Sequence, residues 1–307
     1  MCGLAGYLGG NSFESTEASK ELLSLMSKNI IHRGPDSSGI WLDEESRLGL
    51  AHQRLSVLDL TKAGHQPMIS KNNRYVIAYN GEIYNHLLLR KELKNSRQIS
   101  SWKGSSDTET LLSCIQEWGL KETLSRIEGM FSFALWDRKN RELTLTRDRI
   151  GEKPLYYGWQ NSTFLFASEL KALKVHPSFE GKLDKSSIDE YLRFNYVPGP
   201  NSIYKGIKKL PPGTFLTVSL DKKEPSLPIP YWNLLDVVKK GEENTFKGND
   251  LQAVDKLEEL LTSAVSQQLI SDVPLGAFLS GGIDSSLIVA IMQKVSANPI
   301  STFTVAF

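Results

Sequence analysis

The sequence predicts an α+β layered domain with two facing sheets, followed by a βαβ unit of the α/β parallel-sheet kind. Three observations carry this reading. Short β-rich runs crowd the first 170 residues, two amphipathic helical segments lie among them, and after residue 250 the chain changes to a helix, strand, loop, helix and strand in unbroken succession.

The strand runs are residues 74–79 (RYVIAY), 130–136 (MFSFALW), 142–146 (ELTLT), 155–157 and 163–167 (TFLFA). They are short, aromatic or β-branched, and mostly bounded by Asn, Asp or Gly. Two facing sheets would bury them. The N-terminal MCGLAGYLGG is apolar and Gly-rich and reads as a further, buried strand. In residues 17–31 Leu22, Met26 and Ile30 recur at helical spacing, as do Leu111, Ile115 and Trp118 in residues 107–118, so each helix offers one stripe to the sheets.

Residues 221–249 carry Pro225, Pro228 and Pro230 and then a polar run with little periodicity, which reads as a linker. Beyond it, residues 251–269 form an amphipathic helix with Leu251, Val254, Leu257, Leu261 and Val265 on one side. A strand LGAFL follows Pro274 and runs into SGGIDSS, a helix IDSSLIVAIMQKV and a strand STFTVAF, which together make one βαβ unit. The expected organisation is a domain over 2–220, a linker over 221–249 and the start of a second domain over 250–307.

Composition sets the class of partner. The 307 residues exceed what one core usually serves, and 40% hydrophobic with 23% charged residues is the make-up of an ordinary globular protein. A net charge of +1, from 36 basic and 35 acidic residues, leaves no electrostatic footprint for nucleic acid or an anionic membrane. No run approaches the ~20 apolar residues of a membrane span, and no signal-peptide pattern opens the chain, so a cytoplasmic location and small-molecule substrates are expected. The two cysteines, Cys2 and Cys114, make neither a disulfide framework nor a zinc-ligand spacing. Cys114 sits beside Leu111 and Ile115 and reads as a buried, inert thiol. The five histidines, His32, His52, His65, His86 and His176, are scattered without metal spacing.

Cys2 is different. It follows Met1 and is small enough for the initiator methionine to be trimmed, which would leave a thiol and a free α-amine on one residue. An α-amine with a pKa of about 7.7 to 8.0 is partly unprotonated at neutral pH and can take the thiol proton, a base no internal cysteine possesses. Taken alone, a cysteine at position two also fits a frayed terminus. Its strand-like surroundings favour a held residue.

The segments MCGLAGYLG, HRGPDSSG (32–39), LAHQRLSVLD (50–59), YNGEIYNH (79–86), SSDTETLL (105–112), GMFSFALWD (129–137) and RDRIGEKPLYYG (147–158) together resemble class II glutamine amidotransferases, specifically the glutaminase domain of asparagine synthetase B-type enzymes. The resemblance implies the N-terminal-nucleophile sandwich, two antiparallel sheets between helices. It also implies that Cys2 attacks the amide of glutamine while Asn80 and Gly81 hold the oxyanion. By themselves Asn80 and Gly81 are an Asn-Gly pair after strand 74–79 and read as a plain hairpin turn, a reading that the resemblance reverses. The resemblance places the glutamine α-carboxylate on Arg54, whose planar fork suits it, with Leu55, Ser56, Val57 and Leu58 beside it. The α-ammonium falls to Asp107 and Glu82. A homodimer is implied as well.

SGGIDSS stands between a strand and a helix, where backbone N–H groups and a helix N-terminus make an anion cradle. It lacks the lysine of GxxxxGK[ST], and Ser280 and Asp284 could serve as mere caps. The loop resembles the PP-loop of ATP pyrophosphatases, which in asparagine synthetases follows the glutaminase domain. On that resemblance Ser280, Gly281, Gly282, Ser285 and Ser286 hold ATP phosphates, Asp284 lies near Mg²⁺, and Leu279 and Val305 line the adenine and ribose pocket, with aspartate as acceptor. The sequence ends at Phe307, short of the family's second ATP-contacting segment and aspartate site, so the synthetase half is expected to be incomplete. Two other readings remain: a related amidotransferase acting on another acid, such as a sugar acid, and a glutaminase-only or nucleotide-sensing module.

Overall fold

In the computed structural model, residues 1–10, 15–95, 101–219 and 227–306 are described. Contacts divide the chain into two compact units, Met1–Ser56 with Thr61–Asn233, and Val57–Leu60 with Leu234–Phe307.

The first unit opens with β1 (Gly3–Gly9), α1 (Thr16–Lys28), β2 (Ser37–Asp43) and β3 (Leu48–Arg54). Then come β4 (Met68–Ile69), β5 (Tyr75–Ile83), α2 (His86–Asn95), α3 (Asp107–Trp118) and α4 (Leu120–Arg126). The unit continues through β6 (Gly129–Asp137), β7 (Glu142–Arg147), β8 (Tyr156–Gln160), β9 (Thr163–Ala167) and α5 (Leu170–Lys174). It closes with α6 (Lys185–Phe194), β10 (Lys208–Lys209), β11 (Thr214–Ser219) and β12 (Ile229–Pro230). The strands form two six-stranded sheets, ordered β10-β8-β9-β1-β3-β2 and β12-β11-β7-β6-β5-β4, in which neighbouring strands run antiparallel.

Alternation along the strands builds the layers. Leu4, Leu8, Leu48 and Leu50 of one sheet meet Val76, Ala78, Ala134 and Trp136 of the other in a shared core. The opposite face of β5, Tyr75, Ile77 and Tyr79, packs on Leu89 of α2 and Leu111 and Ile115 of α3. On the far side of the first sheet, Ala5 and Tyr7 pack on Leu23 and Met26 of α1 and Leu173 of α5. The result is the expected sandwich of two sheets between helices. Side-chain caps start its helices: the Ser15 hydroxyl accepts the Ala18 N–H at the head of α1, and the Ser106 hydroxyl accepts that of Glu109 at the head of α3.

The second unit contains α7 (Leu234–Glu243), α8 (Asp250–Gln268), β13 (Gly276–Phe278), α9 (Ile283–Val295) and β14 (Ser301–Phe303). β13 and β14 run parallel, pairing Gly276 with Ser301 and Phe278 with Phe303, which completes the predicted βαβ unit. A capping box between Asn249 and Gln252 starts α8. Val57–Leu60 group with this unit: Asp272 donates its N–H to the Val57 carbonyl at 3.0 Å and accepts the Asp59 N–H at 2.7 Å.

Three expectations need correction. Part of the presumed linker is structured: Ile229 and Pro230 extend the second sheet as β12, and residues 234–243 are helical, although all of α7 is exposed. The neighbouring prolines and Gly241 had masked its Leu234, Leu235, Val237 and Val238 pattern; residues 220–226 lie outside the described set. The apolar stripe of α8 is buried at one end alone, since Val265 packs on Ile291 and Met292 while Leu251 is 76% exposed. The third correction concerns Asn80 and Gly81 and belongs to the site.

Candidate active site

Pairing of β1 with β3 sets Gly3 against Gln53 and Leu4 against His52, so Cys2, one residue earlier, reaches the end of β3. There its Sγ accepts the Leu55 N–H at 3.4 Å and stands 3.5 Å from the Leu55 carbonyl. Arg33 Nε donates to the Cys2 carbonyl at 2.9 Å, and Arg33 Nη1 is itself held by Glu169 at 3.0 Å. The cysteine is thus fixed at both ends. Burial pushes its thiol up, opposed by the Leu55 N–H and the positive chain terminus. Met1 still precedes Cys2, and its α-ammonium is pushed down by burial and by Arg33 and Lys153, against Cys2 and Asp36.

Asn80 and Gly81 do not form a turn. They lie inside β5, paired with Ser132 and Phe131 of β6. The local turn signal lost to the sheet ladder, and Gly81 is there for closeness: a Cβ would stand 2.3 Å from the Met130 carbonyl oxygen and 2.7 Å from Phe131 Cα. Phe131 directs its N–H and C=O to Asp148 on the far side, accepting the Asp148 N–H at 2.8 Å and donating to its carboxylate at 3.2 Å. By antiparallel alternation its partner Gly81 therefore turns its own N–H away from β6, toward the other edge of β5. Tyr79 and Ile83 do the same, donating to Gln66 Oε1 at 2.7 Å and to Asp107 Oδ2 at 2.9 Å. β4 covers β5 just at Val76 and Ile77, so among the described residues no strand covers this edge where Gly81 lies. The Asn80 side chain is 1% exposed, and neither its Nδ2 nor its Oδ1 has a partner among the described residues.

Arg54 closes β3 and is buried, with Nη1 donating to the Thr61 carbonyl at 3.2 Å. Asp107, the first residue of α3, is also buried and accepts from the Tyr79 hydroxyl at 2.7 Å as well as from Ile83. Burial pushes its carboxyl up while these bonds hold it down. Both groups act electrostatically on Cys2. Burial, then Asp107, raises Glu82 to about 7, with Lys153 opposing. Ser56 belongs to the first unit and donates its N–H to Asp36 at 2.7 Å, whereas Val57 and Leu58 group with the second. Cys114 is fully buried and its thiol is pushed up to about 12 by burial.

Sequence reasoning missed Arg33, Tyr79, Asp148 and Lys153. Asp148 is fully buried, and its carboxylate accepts the N–H groups of Phe131, Gly151, Glu152 and Lys153 at 2.6 to 3.2 Å. The turn-forming Asp and Gly of RDRIGEKP were the one available signal.

In the second unit, Gly282 caps α9 without a side-chain bond, so neither Ser280 nor Asp284 is the cap. Gly281 has φ +82°, a conformation that frees the loop to turn and that favours glycine. Ser280 and Ser285 hydroxyls meet at 3.0 Å, Ser285 donates to the Gly282 carbonyl at 3.2 Å, and Ser286 N–H reaches the same carbonyl at 3.1 Å. Leu279 is anchored through its N–H to the Phe303 carbonyl at 2.8 Å, and Val305 is exposed. Asp284 lies in the first turn of α9. Among the described residues no three His, Cys, Asp or Glu side chains gather as a metal-binding group.

The two-sheet sandwich carries Cys2 at the head of its buried first strand and buries an Asn80 amide that has no partner among the described residues. Residues 1–232 match the glutamine amidotransferase domain family, to which the chain belongs, and residues 256–307 match the asparagine synthase family. Over its whole length the chain is 36% identical to Bacillus subtilis asparagine synthetase [glutamine-hydrolyzing] 3, covering 48% of that protein. It is 36% identical over 98% of its length to Escherichia coli K12 asparagine synthetase B, covering 46% of it. The chain spans about half the length of these curated relatives. Among solved structures, glutamine phosphoribosylpyrophosphate amidotransferase from B. subtilis matches with a TM-score of 0.53 at 18% identity, covering 99% of this chain and 65% of that one, a likeness of fold. No helix among the described residues is long and apolar enough to cross a membrane.

Proposed function

We propose that the first unit hydrolyses glutamine at Cys2 and that, in the complete enzyme, the released ammonia serves ATP-dependent amidation of aspartate. The buried Asn80 amide, which has no partner among the described residues, is the observation that carries the first half. A polar side chain left unpaired in a core is costly, and a transient oxyanion would repay the cost.

With Met1 removed, the neutral α-amine of Cys2 takes the thiol proton and the thiolate adds to the glutamine amide carbon. Asn80 Nδ2 and the Gly81 N–H donate to the oxyanion. Collapse breaks the C–N bond, and the α-ammonium returns its proton to the leaving nitrogen as ammonia departs. Water then attacks the thioester, giving its proton to the amine, and glutamate leaves as the thiol is restored. Arg54 binds the substrate carboxylate, beside Leu55 and Ser56, and Asp107, with Glu82, the substrate ammonium.

In the second half ATP lies on the loop of Ser280, Gly281, Gly282, Ser285 and Ser286, with Leu279 and Val305 toward the base and ribose. Asp284 is that loop's acidic side chain, suited to a Mg²⁺ that would neutralise phosphate charge. Assembly as a homodimer in the cytoplasm belongs to the same reading. Glutamate release from glutamine, absent in Cys2→Ala, tests the first half; hydrolysis by Cys2→Ala, or an active protein retaining Met1 by mass spectrometry, would refute it. AMP and pyrophosphate formation that depends on aspartate in the complete enzyme tests the second half, and dependence on a different carboxylic acid would assign another acceptor.

A further inference from the structure

Lys153 is a buried lysine beside the N-terminal residue, Met1. It is 5% exposed, and its Nζ lies 3.5 Å from Met1 Sδ, making no ion pair among the described residues. Its backbone is fixed on both sides: the N–H donates to Asp148 Oδ2 at 3.0 Å and the carbonyl accepts Arg147 Nε at 2.8 Å. Neither bond uses the side chain, so the loop would hold its shape with another residue there. A buried ammonium has to be kept against its own desolvation, and here the segment that holds it is built around a carboxylate accepting four N–H groups.

Loss of Met1 removes the thioether that Nζ touches and leaves a new α-amine one residue further in. The charged groups acting around the terminus are Arg33 and Asp36 before β2, Glu82 on β5, Arg54 at the end of β3, Asp107 on α3, and Asp148 and Glu152 on the lysine's own loop. Building on the nucleophile assignment made above, we propose that Lys153 is a positioning residue of glutamine hydrolysis, a fixed cation beside the α-amine of Cys2 that disfavours the amine's protonated form. The amine can take the thiol proton when it is neutral, and a like charge nearby favours neutrality and makes the ammonium more ready to release its proton to departing ammonia. The Met1 α-ammonium already feels this cation.

The test is the pH profile of kcat/KM for glutamine hydrolysis between about pH 5.5 and 9, whose acid limb reports the free enzyme's base. Lys153→Met is expected to move that limb upward by roughly half a pH unit or more, with activity recovering on the alkaline side. Lys153→Arg, which keeps the charge, is expected to leave the limb in place. Because Lys153 also acts on Glu82, the same pair is measured in Glu82→Gln, where the shift should persist. An unmoved limb in a folded Lys153→Met protein overturns the proposal, as does an equal shift in Lys153→Arg or a shift that vanishes in Glu82→Gln. Hydrolysis surviving in Cys2→Ala would instead overturn the nucleophile assignment itself.

Discussion

The Tyr79 hydroxyl donates to Asp107 Oδ2 at 2.7 Å, the same oxygen that accepts the Ile83 N–H at 2.9 Å. Strand β5 thus grips the head of α3 twice, and both partners are buried. Tyr79→Phe removes one charge-assisted bond and leaves the carboxylate under-satisfied, at a cost of about 1–3 kcal/mol. Denaturant unfolding should show that loss. The KM for glutamine should rise more than kcat falls, since Asp107 is assigned to substrate binding.

Arg54 lies at the end of β3 with one guanidinium nitrogen spent on the Thr61 carbonyl. Arg54→Lys keeps the charge and loses the planar fork, so KM for glutamine is expected to rise about tenfold or more while kcat changes less. Steady-state kinetics decide it. A variant with wild-type KM would place the substrate carboxylate elsewhere.

How far the sequence could be read depended on the range of the interactions. α3 and β9 were legible to the residue because a helical stripe and a five-residue apolar run are local patterns. The Asn80-Gly81 turn failed because β5 continues through it, held by a β6 strand some fifty residues away, and no local pattern encodes that close approach. Cys2, Arg54, Asn80 and Asp107 were picked out by their motifs, and the structure sets them just before β1, on β3, on β5 and on α3. Tyr79, Arg33 and Lys153 were not, since each acquires its partner through folding. The exposed half of the α8 stripe marks the converse case, a correct helical pattern that the described second unit does not cover.

Glu82 and Glu169 should shape acid stability with opposite signs. Burial and then Asp107 raise Glu82 from 4.5 to about 7, so the folded protein keeps a proton that the unfolded chain has released, and stability falls as pH rises through that window. Burial also acts on Glu169, but bonds from Arg33, His32 and Lys171 outweigh it and bring the carboxyl to about 2. Its contribution is present above 4.5 and is lost as pH falls toward 2. Buried His52 and His176, both pushed down to about 4, tilt the curve the other way where they overlap with Glu82, so the difference from wild type is what counts. Glu82→Gln is expected to remove a downward slope between about 4.5 and 7, and Glu169→Gln to weaken the protein above about 4.5. Thermal unfolding across that range checks both.

Asn80 and Gly81 adjoin on one strand and should respond oppositely to alanine. The Asn80 amide has no partner among the described residues, so Asn80→Ala breaks no bond there and removes a buried unsatisfied group. Its melting temperature should stay at or near that of wild type while kcat falls about 10²- to 10³-fold, with KM little changed, because the donor acts on the oxyanion and not on the substrate. Gly81→Ala sets a methyl carbon 2.3 Å from the Met130 carbonyl oxygen and 2.7 Å from Phe131 Cα, both backbone atoms that cannot step aside. That variant should lose stability by about 2 kcal/mol or more as β5 and β6 are forced apart. Melting curves and glutaminase kinetics on the two proteins separate the roles. An Asn80→Ala protein that melts far below wild type would make the amide structural and take the oxyanion assignment with it.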